Sequence, residues 1–191
     1  NIGQTPEDAR PRLDAAVRRV AGRGWHVNIA PRLPLLEGLS RQFSESPVPI
    51  VIDHFAGARA SLGVQQPGFD VLLDLLRTGK IYLKVSRIHN VSTEAPDYTD
   101  VAPLGRALIA ANPQRILWAT DWPHAGERPP GYSATDISPY KEIDDAQEKH
   151  SPVGPAPVGQ CPRPGNGCSG DVVWPEGRRR LADGGAGVSR D

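Results

Sequence analysis

Arg115-Ile116-Leu117-Trp118-Ala119-Thr120-Asp121-Trp122-Pro123-His124 is an apolar run that ends in an acid, an aromatic, a proline and an imidazole. Residues 116–119 spell a short buried strand, too brief for a helix and closed by Pro123. Asp121 then falls at the strand's carboxyl end, the edge of an α/β sheet where ligands bind. A carboxylate there can ligate a metal or take a proton from water; the plain alternative is a cap for the following turn.

Upstream, the same strand-after-helix rhythm recurs. Thr5-Pro6-Glu7-Asp8 offers an N-cap, a proline at the first helical position and acids in the first turn. Helical spacing follows (Leu13, Ala16, Val17, Val20), with Pro11 expected to split or kink the element and Gly22 and Gly24 to end it. Residues 25–29 read as a strand, 35–43 as a helix and 48–52 as a β-branched strand ending in Asp53-His54. Residues 69–77 are helical, 81–85 form a strand ending at Ser86, and 100–111 are helical up to Asn112-Pro113. Four strands alternating with helices of about three turns indicate βα units on a parallel sheet. The nearly continuous apolar strands suggest cover on both faces.

Composition narrows the function classes. With 22 basic and 22 acidic residues the net charge is 0, which argues against a nucleic-acid surface. No apolar run approaches the ~18 residues of a membrane span. The first residues are polar and carry no signal-peptide pattern, and the 2 cysteines are too few for a disulfide framework, so a cytoplasmic location is expected. The absence of methionine suggests a start inside a longer reading frame. From Ser151 onward Gly and Pro dominate and apolar residues lose their period, as in a disordered segment.

The strand ends carry the candidate chemistry. In a parallel sheet all carboxyl ends share one edge, so polar groups placed there converge. The candidates are His26 and Asn28 on the first strand, His54 after the second, Lys84 and Ser86 on the third, and Asp121 with His124 after the fourth. A histidine with an aspartate at such an edge can bind a divalent metal that activates water, or can work as a general base with its partner. Each has a plain alternative. His54 could be a satisfied turn histidine, His26 could lie between layers, Lys84 could be a salt-bridge partner, and His124 could order its loop. Asp53, next to His54, should point to the opposite face by strand alternation, which favours a structural role.

These residues also carry a resemblance. Val51-Ile52-Asp53-His54-Phe55-Ala56-Gly57, Tyr82-Leu83-Lys84-Val85-Ser86 and the Thr120-Asp121-Trp122-Pro123-His124 core resemble the amidohydrolase family that contains the 2-pyrone-4,6-dicarboxylate lactonases. The Gly24-Trp25-His26-Val27 and Ala110-Ala111-Asn112-Pro113 segments fit too. The resemblance implies a (β/α)8 TIM barrel of the metal-dependent-hydrolase type. About four βα units here would be its C-terminal half. Residues 1–147 would form the partial barrel domain and 148–191 a disordered Gly/Pro-rich tail with the character of a frameshifted reading. It implies a hydrolase of a lactone or similar carbonyl substrate, in aromatic-compound catabolism, with a small carboxylate or lactone as its partner.

The resemblance also assigns roles. Asp121 would activate water and His54 would hold the substrate carbonyl or the water. Lys84, Ser86, His26, Arg87, Asn90 and His124 would line the substrate pocket. A divalent metal, zinc or manganese, would sit on His54 and Asp121 if one is bound, and a metal-dependent decarboxylase is the alternative within the superfamily. A non-catalytic half-barrel is the alternative outside enzymes.

Three departures stand out: the family's first-strand His-x-His pair is missing, Asn90 stands where related lactonases carry a carboxylate-binding arginine, and the Gly/Pro-rich tail begins where a closing helix should follow. The chain alone is therefore expected to be close to inactive, and to self-associate through open barrel edges.

Overall fold

Thr5 accepts a hydrogen bond from the Asp8 amide, and the proline behind it opens the first helix, α1 (Pro6–Val20). In the computed structural model the chain is described over residues 2–124, 131, 133, 136, 137 and 140–151, without the side chains of 147, 149 and 150. Contrary to expectation, α1 runs unbroken through Pro11. Pro11 and Glu7 are both exposed, so water can serve the carbonyl that the missing N–H leaves free.

The elements then alternate as the sequence suggests. They are β1 (Val27–Ile29), α2 (Leu33–Glu45), β2 (Ile50–Ile52), α3 (Phe69–Arg77), β3 (Ile81–Val85), a short α4 (Ile88–Val91), α5 (Ala102–Ala111), β4 (Ile116–Trp118) and α6 (Asp145–His150). The α3 and β3 boundaries match the sequence reading. β1 and β2 start two residues later than read and β4 ends one earlier, because regular pairing covers only those residues. The expected helix over 100–111 opens with a 3-10 turn, Thr99–Val101, before α5 starts.

The four strands form one parallel sheet in the order β1-β2-β3-β4. Ile52 is level with Leu83, and Leu83 with Ile116. Paired residues of a pleated sheet share a face, so Val27, Ile50, Ile52, Ile81, Leu83 and Val85 all point one way. They meet Leu36, Leu39 and Phe43 of α2, Phe69, Leu72 and Leu76 of α3, and Leu104 and Leu108 of α5 in one core. The three phenylalanines of the chain are all fully buried.

The opposite face corrects the expectation of cover on both sides. It carries Asn28, Val51, Tyr82, Lys84 and Leu117, and all but Val51 are half-buried or exposed. β3 therefore alternates buried and half-buried residues. Apolar residues there had hidden an alternation that Lys84 announces. Among the described residues the outer edges of β1 and β4 have no strand partner.

The last helix of the described residues runs across the expected boundary at 147. Asp144 caps α6 by accepting from the Ala146 amide, and the helix continues to His150. The proposed disordered tail lies otherwise outside the described residues. No helix of the described residues is long and apolar enough to cross a membrane.

Glycine is required by geometry ahead of α3. Gly68 precedes α3 with φ +83, and a Cβ there would lie 2.5 Å from the Leu33 carbonyl oxygen. Gly68→Ala should lower the urea midpoint by more than the left-handed strain alone, which is about 1–2 kcal/mol. Gly22→Ala, at φ +73 with open space around it, should show only that strain. Equal midpoints for the two variants would refute the close approach.

Candidate active site

The carboxyl ends of β2, β3 and β4 gather the polar side chains. His54 follows β2 in a turn whose four residues, His54, Phe55, Ala56 and Gly57, have φ of 54, 53, 53 and 70°. A left-handed run of this kind costs about 1–2 kcal/mol for each residue that is not glycine. Here Phe55 and Ala56, both fully buried, fix it from below. Arg87 (φ 57°), Asp121 (φ 72°) and His124 (φ 52°) are left-handed as well. Sparse backbone states of this sort cluster at functional sites and persist where packing over-determines them.

The turn brings His54 onto Ser86 and Asp121. Its Nδ1 is 2.8 Å from Ser86 Oγ, and its Nε2 is 3.7 Å from Asp121 Oδ1. Arg87 Nε lies 3.1 Å from the other Asp121 oxygen. The contact is ionic and off the hydrogen-bond axis, since Arg87 Nε has no aligned partner. Asp121 remains about one-third exposed, so water can reach it.

A second pair lies beside the first. Lys84 Nζ is 3.0 Å from Asp53 Oδ1, and Asn28 Nδ2 donates to Asp53 Oδ2. Asp53, set aside on strand alternation, thus joins the cluster, and the reason is the backbone. Asp53 continues the parity of Val51, on the face of Asn28 and Lys84. His54 has left the strand, and its left-handed φ turns it back to the same side. Accounting for parity across all strands, rather than against the adjacent residue, would have found Asp53.

Burial lowers the pKa of His54. Asp121 and Asp53 oppose that shift, while Arg87 and Lys84 add to it. The imidazole is therefore neutral at neutral pH, able to hold or accept a proton.

Other candidates are placed elsewhere. His26 precedes β1, at the amino end of the sheet, away from the carboxyl-end cluster. Asn90, on α4, accepts from Lys141 Nζ at 3.0 Å rather than facing Asp121. His124 is buried, with Nε2 2.7 Å from Asp145 Oδ1. His89 Nδ1 meets Glu148 Oε1 at 2.6 Å. Glu148 was missed because the pattern was read as ending at 147, and Asp145 because no strand-end position marks it.

The donor set does not suit a divalent cation. His54 Nδ1 is engaged by Ser86, and the Arg87 guanidinium occupies the far side of Asp121. Lys84 adds a second positive charge close by, one that already opposes protonation of His54. Among the described residues no group of three or more His, Cys, Asp or Glu side chains is placed to hold a metal ion.

An amidohydrolase family profile matches residues 3–151. A 4-sulfomuconolactone hydrolase of Hydrogenophaga intermedia is 36% identical over 126 residues, 63% of this chain and 42% of the relative. A 2-pyrone-4,6-dicarboxylate hydrolase of Comamonas testosteroni is 33% identical over 129 residues, 63% of this chain and 41% of the relative. A crystal structure from Agrobacterium tumefaciens is 28% identical with a TM-score of 0.49, covering 59% of this chain and 41% of the other. The chain thus spans about two-fifths of the length of the curated relatives it matches. The profile match extends over the whole sheet and the carboxyl-end cluster, and on that match the chain belongs to the amidohydrolase family.

Proposed function

We propose that this chain supplies the water-activating part of a hydrolase acting on a lactone or a similar carbonyl ester. The observation that carries the reading is the convergence of Asp121, a neutral His54, Ser86 and Arg87 at one sheet edge. Asp121 takes a proton from water as its oxygen attacks the lactone carbonyl carbon. His54, oriented by Ser86, directs its Nε2 toward the same water and the Asp121 carboxylate. The ring C–O bond then breaks, and the proton held by Asp121 passes to the leaving oxygen. Arg87 can swing from Asp121 to an anionic group of the substrate, a role that Asn90, turned to Lys141, does not fill. The names of the relatives support the lactone class, since both act on lactone-type rings bearing acid groups. Lys84, held by Asp53, keeps the floor of the cluster polar.

The sheet has the element order of four successive barrel units, and a complete barrel of this type needs about 250 residues. We read residues 1–147, together with α6, as the C-terminal half of such a barrel, with the Gly/Pro-rich remainder outside it. The open edges of β1 and β4 would pair with the complementary half or with a second copy. The metal-dependent decarboxylase reading finds no support in a donor set crossed by Arg87 and Lys84.

The test is hydrolysis of a panel of small lactones, neutral and anionic. The full chain is assayed alone, then with the uncovered part of the Hydrogenophaga relative supplied as a separate polypeptide. The chain alone should stay near background, and the mixture should turn over anionic lactones. The acid limb should lie below the ordinary histidine value of 6.5, because the folded protein resists protonation of His54. By the same sign, folding stability is lost as pH falls from that value through the lowered one, and His54 adds no pH dependence above it. Turnover by the isolated chain would sink the half-barrel reading. A stable mixture that hydrolyses no lactone would sink the hydrolase reading.

A further inference from the structure

The segment around α6 touches both loops that carry the proposed chemistry. One loop follows β3, holds Ser86 and Arg87 and runs into α4 with His89 and Asn90; the other follows β4 and holds Asp121 and His124. Glu148 Oε1 meets His89 Nδ1 at 2.6 Å, and Asp145 Oδ1 meets His124 Nε2 at 2.7 Å. Lys141 Nζ donates to Asn90 Oδ1 at 3.0 Å, and the Lys141 amide donates to the His124 carbonyl at 2.9 Å. Two contacts from one short segment therefore reach each loop.

Burial makes the His89–Glu148 contact a strong constraint. The His89 and Glu148 side chains are 5% and 2% exposed, and the His124 side chain is 4% exposed against an Asp145 that is 42% exposed. A His89 imidazole that loses Glu148 has no water to replace it. The two rings also pack edge to face with centroids 5.3 Å apart, so movement of either ring disturbs the other. His89 lies two residues beyond Arg87, and the His124 amide donates to the Asp121 carbonyl at 3.2 Å. Both Arg87 and Asp121 are held in left-handed backbone, which persists only where neighbours enforce it.

We propose that α6 is a positioning element of the active site: Glu148 and Asp145 hold His89 and His124, and through them set Arg87 and Asp121 against each other. The catalytic meaning of that geometry rests on the hydrolase reading above; the geometry itself does not. α6 touches no substrate in this scheme, and neither histidine is a proton carrier. The two histidines are clamps, and their carboxylates fix the tautomer: the proton sits on Nδ1 in His89 and on Nε2 in His124, each donating to its acid.

The experiment is nitrogen-15 NMR of the full chain labelled at histidine and arginine. The wild type should show these two opposite tautomers and a solvent-protected Arg87 Nε–H signal. Glu148→Ala and Asp145→Ala should each lose the protected Arg87 signal while the sheet stays folded. Glu148→Gln and Asp145→Asn, whose side-chain carbonyls still accept from the ring N–H, should restore it. An unchanged Arg87 signal in the folded alanine variants would overturn the proposal, as would identical tautomers in the wild type. Should an alanine variant fail to fold, Lys141→Ala cuts the Asn90 tie alone and should weaken the same signal; no change there also counts against it. Because no substrate enters the measurement, its failure and the failure of the lactone assay are told apart.

Discussion

Asp121→Asn should cut lactone turnover in the assembled enzyme by about 10²–10⁴-fold, the usual contribution of a general base. The amide has the same shape and can still orient water, but it cannot take the proton. Because Asp121 is about one-third exposed, folding should be little affected, and the melting temperature serves as the control. A second consequence separates this from simple misplacement. Asp121 raises the His54 pKa against the lowering effect of burial. Removing its charge should therefore move the residual acid limb to still lower pH. A variant that loses less than about tenfold, or whose acid limb stays in place, would remove Asp121 from the role of base.

Phe55→Ala should severely damage the fold. The ring is fully buried, and such truncations cost about 3–5 kcal/mol. That is a large part of the roughly 5–15 kcal/mol that holds a typical domain together. Phe55 also sits at φ 53°, in the middle of the left-handed turn that presents His54. Loss of the ring removes the weight that fixes the turn, so the His54–Ser86 bond should weaken with it. The backbone gives a sharper version of the test. Alanine keeps the left-handed penalty of about 1–2 kcal/mol, and glycine escapes it. Phe55→Gly should thus be no less stable than Phe55→Ala, the reverse of the order usual in ordinary secondary structure. Urea unfolding of the two variants decides the point, and a clearly more stable alanine variant would refute the left-handed turn.

Much of the fold was legible because its signals are local. Helical periodicity at Phe69, Leu72 and Leu76 and the run at 81–85 give α3 and β3 to the residue. Thr5 and Pro6 mark the start of α1. The site was legible as a list of strand-end residues but not as an arrangement. His54 was placed by alternation, and alternation stops at the residue before it. No sequence signal announces left-handed φ at His54, Arg87 or Asp121; only Gly57, closing the turn, hints at it. Asp53 was misjudged for the same reason, and Glu148 was hidden by a change in composition just beyond it. His124 shows the complement: its identity drew attention, but its role depends on an acid 21 residues away that no periodicity connects to it.

The sheet is built in chain order, and its strands are unequally protected. β2 is buried at all three positions, whereas β4 is only partly buried at every one. Local opening begins where buried contacts are fewest. The strand that delivers Asp121 is therefore, with β1, an edge strand that can open while β2 and β3 stay paired. On warming, the His54–Asp121 geometry should be lost over a range where most of the sheet is still intact, and return on cooling without any refolding of the core. Site geometry and global unfolding would then report on two different cooperative units of the same small domain.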